Sequence, residues 1–223
     1  MKKVDGLPLS EAILFAAIPT FVEKGYENAS MDDVAARAST TKRTVYSHYG
    51  SKDALFRSAL AKAVELFQSE MPNLADPSDP ARELETFAMG FSDLSTWRGA
   101  VQLQRVVMGG AERFADLGKM LHKQIIQHAE AMVADYLEAV AARNPQRPRR
   151  TRDEYRVLAS IFLNMTTGPQ RFATLLEHRP PPATHPHADA PSDTDRPLIR
   201  RAVAIFLSGT GLTEPFMGNT PST

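Results

Sequence analysis

The chain contains no cysteine, which excludes disulfides, thiolate catalysis and cysteine-ligated zinc. It also has no excess charge of either sign, with 26 Lys and Arg against 26 Asp and Glu. That balance rules out binding to a polyanion by bulk attraction, but leaves room for a local basic footprint. No uninterrupted apolar run reaches about 18 residues, so no membrane-spanning segment is expected. The opening Met1-Lys2-Lys3-Val4-Asp5-Gly6-Leu7-Pro8 lacks the apolar stretch of a secretion signal, and a soluble cytoplasmic protein is expected. Signs of catalysis are missing too. There is no Ser/His/acid set, no glycine-rich phosphate loop and no paired-carboxylate spacing. His122 and His128 stand six apart and share no helix face, while His185 and His187 fall in a proline-rich stretch. An enzyme, a cofactor and a bound metal are therefore not expected.

What the chain does have is helical periodicity. Its 223 residues allow one large core or two unequal domains. Ile13, Ala17 and Phe21, with Leu14 and Ile18 beside them, predict a helix over 9–24 that stops at Gly25. Pro19 lies too deep in it to be a first-turn proline and should cost roughly 3 kcal/mol. Ser30, with Asp33 three residues on, predicts a capped second helix whose Val34, Ala35 and Ala38 face inward. Thr41 caps a third, with Val45 and Tyr49 as core, and Ser51 caps a fourth that runs to about Glu70. Pro72, Pro77 and Pro80 mark a break. Helical patterns then cover 81–94, 96–107, one long helix 114–143, 152–176 and 198–208. A basic loop occupies 144–150. Residues 179–197 hold six prolines and two histidines, and a mobile loop is expected there. No strand is evident.

The stretch from Ser30 to Lys52 carries the functional expectation. Two short helices meet at a tight turn, and the second is small, basic and polar along one side. A helix that enters the major groove needs short side chains at its N-terminus and donors for base edges and phosphates. Thr41, Lys42, Arg43 and Thr44 meet that need, and Tyr46, His48 and Lys52 could donate to phosphate oxygens. Between 37 and 57 the basic residues Arg37, Lys42, Arg43, Lys52 and Arg57 face only Asp53.

From Leu9 to Phe56 the chain resembles the TetR family of bacterial transcriptional regulators. The resemblance rests on Ile13-Leu14-Phe15-Ala16-Ala17, Phe21-Val22-Glu23-Lys24-Gly25-Tyr26 and Met31-Asp32-Asp33-Val34-Ala35. It continues through Thr41-Lys42-Arg43-Thr44-Val45-Tyr46, His48-Tyr49 and Ser51-Lys52-Asp53-Ala54-Leu55. It implies an all-α fold: an N-terminal three-helix helix-turn-helix domain over 1–51, a connecting helix over 52–70, and a C-terminal helical dimerisation and ligand domain over 71–223. It also implies a homodimer formed through the last helices, double-stranded DNA with a palindromic operator as partner, and repression relieved by a small ligand. Carried over by residue, Thr41 to Thr44 begin the recognition helix, Tyr46, His48 and Lys52 match phosphate contacts, and Ser30 and Met31 begin the preceding helix. The family often has glycine in the turn where this chain has Ser39.

Arg105-Val106-Val107 and Glu112-Arg113-Phe114-Ala115-Asp116-Leu117-Gly118 resemble the AcrR/AefR-like branch of that family. This implies a pocket for a small, largely apolar effector. Candidate pocket residues are Trp97, Val101, Met108, Phe114, His122, Ile125, Phe162, Met165 and Phe172, each of which could equally be core. Two other readings stay open: a helical protein–protein interaction module without DNA binding, and an activator of the same fold.

Overall fold

Side-chain caps set the starts of most helices, and apolar spacing sets which face each one buries. The computed structural model describes residues 3–4, 6–144, 150–177 and 194–212. The helices are α1 (Leu9–Asn28), α2 (Met31–Arg37), α3 (Lys42–Tyr49), α4 (Lys52–Ser69), α5 (Pro80–Thr96), α6 (Arg98–Gly109) and α7 (Ala115–Leu121). A π-helical turn, His122–Ile126, leads into α8 (Gln127–Ala142), and α9 (Arg152–Thr166), α10 (Gly168–Leu176) and α11 (Arg196–Thr210) follow. No helix among the described residues is long and apolar enough to cross a membrane. The all-α expectation holds, with one small addition. Lys3–Val4 and Leu7–Pro8 pair as an antiparallel ladder too short for any alternating pattern to show in the sequence.

The chain forms two compact units. The first holds the described residues up to Glu70 together with Trp97–Ile125. Helix α1 is its spine, packed against α2, α4 and α6. Its core includes Ile13, Phe21, Val34, Val45, Phe56 and Phe114. Residues Trp97–Ile125, placed with the C-terminal domain by the sequence reading, thus fold with the N-terminal segment. The second unit holds Met71–Thr96 and the described residues from Ile126 onward. Here α8 and α11 pack on α9, and α5 packs on α10 and α11. Phe162 meets Phe206 at a ring distance of 5.2 Å, and the Tyr136 hydroxyl donates to the Asp76 carbonyl at 2.8 Å.

Several elements depart from expectation for physical reasons. Helix α1 continues one turn past Gly25, which breaks its regular geometry with φ of 73°. Pro19 keeps helical geometry, since Gly25 is the sole non-helical residue of α1. The Phe15 carbonyl that Pro19 cannot bond lies on the exposed stripe of the helix. The long helix expected over 114–143 is interrupted by the π-turn, whose Gln124 carbonyl accepts from the Gln68 side chain at 2.6 Å. No proline or glycine marks that turn. The helix expected over 152–176 breaks at Thr167, because Pro169 belongs to the first turn of α10 and has no N–H to continue the ladder. Helix α11 begins earlier than expected, capped by Asp195, whose carboxylate accepts from Leu198 N at 3.0 Å. Most of the loop expected at 179–197, and most of the basic loop at 144–150, lies outside the described residues.

Candidate nucleic-acid interface

The reading head is built from caps and one anchored face. Ser30 and Asp33 form a full capping box at the start of α2: Asp33 N donates to Ser30 Oγ at 3.1 Å, and Ser30 N donates to the Asp33 carboxylate at 3.0 Å. The Lys24 ammonium, 2.5 Å away, and then the Ser30 hydroxyl hold the Asp33 carboxyl at about 2. Helix α2 closes in a Schellman motif, with Thr40 N donating to Ala35 O at 2.9 Å and Ser39 N to Ala36 O at 3.2 Å. That motif demands a left-handed residue, and Ser39 supplies it with φ of 50°.

A left-handed L-residue costs about 1–2 kcal/mol, part of which glycine returns as extra freedom in the unfolded chain. Ser39→Gly is therefore expected to stabilise the fold by about 0.5–1 kcal/mol. Chemical denaturation checks this, and a lower midpoint for the variant would contradict the strain.

Thr41 then caps α3, its hydroxyl accepting from Thr44 N at 3.2 Å. Val45 is fully buried, and the Tyr49 hydroxyl donates to the Ser10 carbonyl at 2.7 Å. These two residues pin the inner face of α3 and leave its opening turn outside. Thr41, Lys42 and Arg43 are exposed and Thr44 is half-buried. Gly50, with φ of 73°, ends the helix so that Ser51 can cap α4 through Ala54 N at 3.1 Å.

The other expected DNA residues divide. Tyr46 and His48 are exposed on α3. Ser30 is exposed but occupied by its capping box. Met31 is 4% exposed and belongs to the core, so only its backbone faces the helix start. Lys52 turns toward the end of α1, donating to the Glu27 carbonyl at 3.0 Å and lying 4.5 Å over the Tyr26 ring.

Charge at this surface is partly neutralised. Lys42 pairs with Asp32 at 2.7 Å, and Arg37 with Glu23 at 2.7 Å. Asp32 raises the Lys42 ammonium above its ordinary value, which fixes it as a cation. Arg43 has no ion pair among the described residues. It is the cation at the tip of α3 that is free for a phosphate or a base edge.

Comparison with known proteins agrees with this geometry. The model for bacterial regulatory proteins of the tetR family matches residues 13–59. The model for the C-terminal domain of AefR-like transcriptional repressors matches residues 82–209, more than half of the chain. The chain belongs to the TetR family. Among curated relatives, the HTH-type transcriptional activator FasR of Mycolicibacterium smegmatis is 33% identical over 82 residues, 36% of this chain and 37% of that protein. The HTH-type transcriptional repressor NicS of Pseudomonas putida is 34% identical over 79 residues, 34% of this chain and 37% of that protein. The chain thus aligns with less than two thirds of these relatives' own lengths. Among solved structures, a Mesorhizobium loti protein described as a TetR-family transcriptional regulator superposes with a TM-score of 0.73 at 16% identity, covering 93% of this chain and 98% of that one. The flavonoid-responsive regulator FrrA superposes with a TM-score of 0.68 at 22% identity, covering 90% and 96%.

Within this TetR-family chain, the Glu112–Gly118 segment that resembles the AefR branch acts as a clamp inside the first unit. Phe114 is 1% exposed, with its ring 4.8 Å from Tyr26 and 5.1 Å from Phe56. The Arg113 guanidinium pairs with Asp53 at 2.9 Å and lies 4.8 Å over the Tyr26 ring. Tyr26 donates its hydroxyl to the same Asp53 carboxylate, and Arg57 pairs with Asp116. The stretch between α6 and α7 is thereby locked to α1 and α4. The sequence named Arg113 and Phe114 in a motif but could not name Tyr26 and Asp53 as their partners, since 60 positions separate Arg113 from Asp53.

The expected pocket residues also divide. In the first unit, Val101 and Phe114 are buried, Trp97 and Ile125 half-buried, His122 exposed and Met108 58% exposed. In the second unit, Phe162 is buried against Phe206, Met165 half-buried and Phe172 65% exposed. A surface hollow of about 370 Å³ lies beside Arg150, Asp153, Glu154, Val157 and Leu158, and none of the expected residues lines it.

Proposed function

We propose that the protein is a homodimeric transcriptional repressor that holds a palindromic operator through α3 of each subunit and leaves it when a small, largely apolar effector binds. The observation that carries this reading is the tip of α3. A threonine-capped turn with a free Arg43 stands outside a core that Val45 and Tyr49 anchor. In functional terms, residues 1–51 read DNA, 52–70 connect, and 71–223 bind effector and partner. The match to AefR-like repressors favours repression over activation.

Dimerisation draws support from the adjoining helices α9 and α11. Val157, Ile161, Leu198 and Ile205 are exposed on them, an apolar surface that a second copy would cover. Within the second unit, the half-buried Met165 is the effector contact we favour, since it keeps surface to offer a ligand. Release requires only that the effector bind the operator-incompetent state more tightly, by a few kcal/mol. No step takes the protein out of the cytoplasm.

The test is a footprint on a site selected from random DNA. Two protected half-sites are expected, with centres about 10 base pairs or slightly more apart on one face of the duplex. A single unpaired half-site, or no selected site at all, would contradict the reading.

A further inference from the structure

Among the described residues of the second unit, Arg171 is a half-buried cation with no counter-charge. Helix α10 exposes Pro169, Phe172 and Leu176. Its opposite face carries Thr167, Arg171 and Thr174, spaced a helical turn apart. Thr167 is fully buried, and Arg171 is half-buried one turn on, its N–H donating to the Thr167 carbonyl at 3.1 Å. Among the described residues, the Arg171 guanidinium has no ion pair and no hydrogen bond. Elsewhere the arginines at 57, 113, 152 and 200 each hold a carboxylate, even at exposed positions. Burial without a partner pulls the Arg171 guanidinium below its ordinary value.

The surroundings are polar for a helical core. Ser92 of α5 is fully buried and its hydroxyl donates to Gln170, the neighbour of Arg171, at 3.3 Å. Thr166 and Thr167 give their protons to helix carbonyls at 2.8 and 2.9 Å, which leaves hydroxyl lone pairs unused. Met165, half-buried in the last turn of α9, supplies apolar surface. Partial desolvation of a charge with no compensating partner is a cost that folding does not repay. A ligand carboxylate would repay it, because a guanidinium matches a carboxylate with two parallel hydrogen bonds.

We infer that Arg171 anchors the head group of the effector, which is an apolar acid with one carboxylate. The inference rests on the reading of this chain as an effector-released regulator, and it sharpens the effector from merely apolar to amphiphilic and anionic. The experiment uses the full chain without DNA, so its failure leaves operator binding untouched. Acids from butyrate to palmitate, and benzoate and naphthoate, are each paired with the matching primary alcohol. Binding is read by calorimetry and by the shift in thermal midpoint.

At least one acid is expected to bind on the order of tenfold or more tightly than its alcohol. R171M is expected to abolish that preference, raise the midpoint of the ligand-free protein and leave the dimer intact on sedimentation. R171Q repeats the comparison should R171M fail to fold. The proposal is overturned if no acid outbinds its alcohol, or if the preference survives in the variant. It is equally overturned if either variant weakens the dimer, which would assign the guanidinium to a carboxylate of the partner subunit.

Discussion

The double variant K42A/R43A is expected to bind the operator on the order of 100-fold or more weakly than the parent, with its dimer and its thermal midpoint unchanged. A charged contact to a phosphate or base edge contributes roughly 1–3 kcal/mol, and two such contacts add when neither shares a partner. The two residues do not carry equal shares. Lys42 must exchange the Asp32 carboxylate, 2.7 Å away, for a phosphate, so its net gain on binding is reduced. Arg43 gives up no such partner, so R43A alone accounts for most of the loss. D32N reverses the logic: it frees Lys42, removes a negative charge from the DNA-facing side, and strengthens binding to unrelated DNA as well. Because both side chains are exposed, neither substitution disturbs the core. Gel-shift titration together with sedimentation checks the set. A double variant that binds like the parent would return the interaction-module reading to the front.

Phe114→Ala is the second large effect, and it separates two roles that the sequence left equal. As a core residue of the first unit, Phe114 stacks edge-on against Tyr26 and lies beside Phe56. Removing it leaves a cavity under Arg113 and costs about 3–5 kcal/mol. Since a domain holds about 5–15 kcal/mol in total, this is a large fraction of its stability. The thermal midpoint should fall by roughly 10 °C, and operator binding should weaken on warming while recovering in the cold. A pocket residue would behave otherwise: F114A would then change effector affinity and leave the midpoint in place. Scanning calorimetry of the ligand-free protein distinguishes the two.

The helix-turn-helix was legible because its determinants are local. Ser30, Thr41 and Ser51 announce three helix starts within a few residues of the bonds they make. Val34, Ala35, Ala38 and Val45 repeat at helical spacing and are all buried. What stayed hidden depends on distant chain segments. Phe114 and Phe162 have the same apolar spacing whether they fill a core or line a pocket, and only packing tells them apart. Met108 and Phe172 look alike in sequence and are exposed. Lys52 reads as a phosphate contact until Tyr26 and the Glu27 carbonyl, 26 and 25 positions earlier, are brought beneath it. The grouping of Trp97–Ile125 with the first unit follows from the same clamp, which no local pattern encodes. Arg171 has no signature in the sequence, because a lone arginine in a helix gives no sign of whether a counter-charge packs against it.

The central claim is that a cationic helix tip meets phosphates and bases on DNA, and the salt dependence of operator binding tests it most directly. The logarithm of the binding constant should fall linearly with the logarithm of salt concentration, by about 0.9 for each phosphate neutralised, and the slope for R43A should be shallower by about 1 if Arg43 takes a phosphate. Affinity indifferent to salt in both proteins, with R43A binding as tightly as the parent, would contradict it.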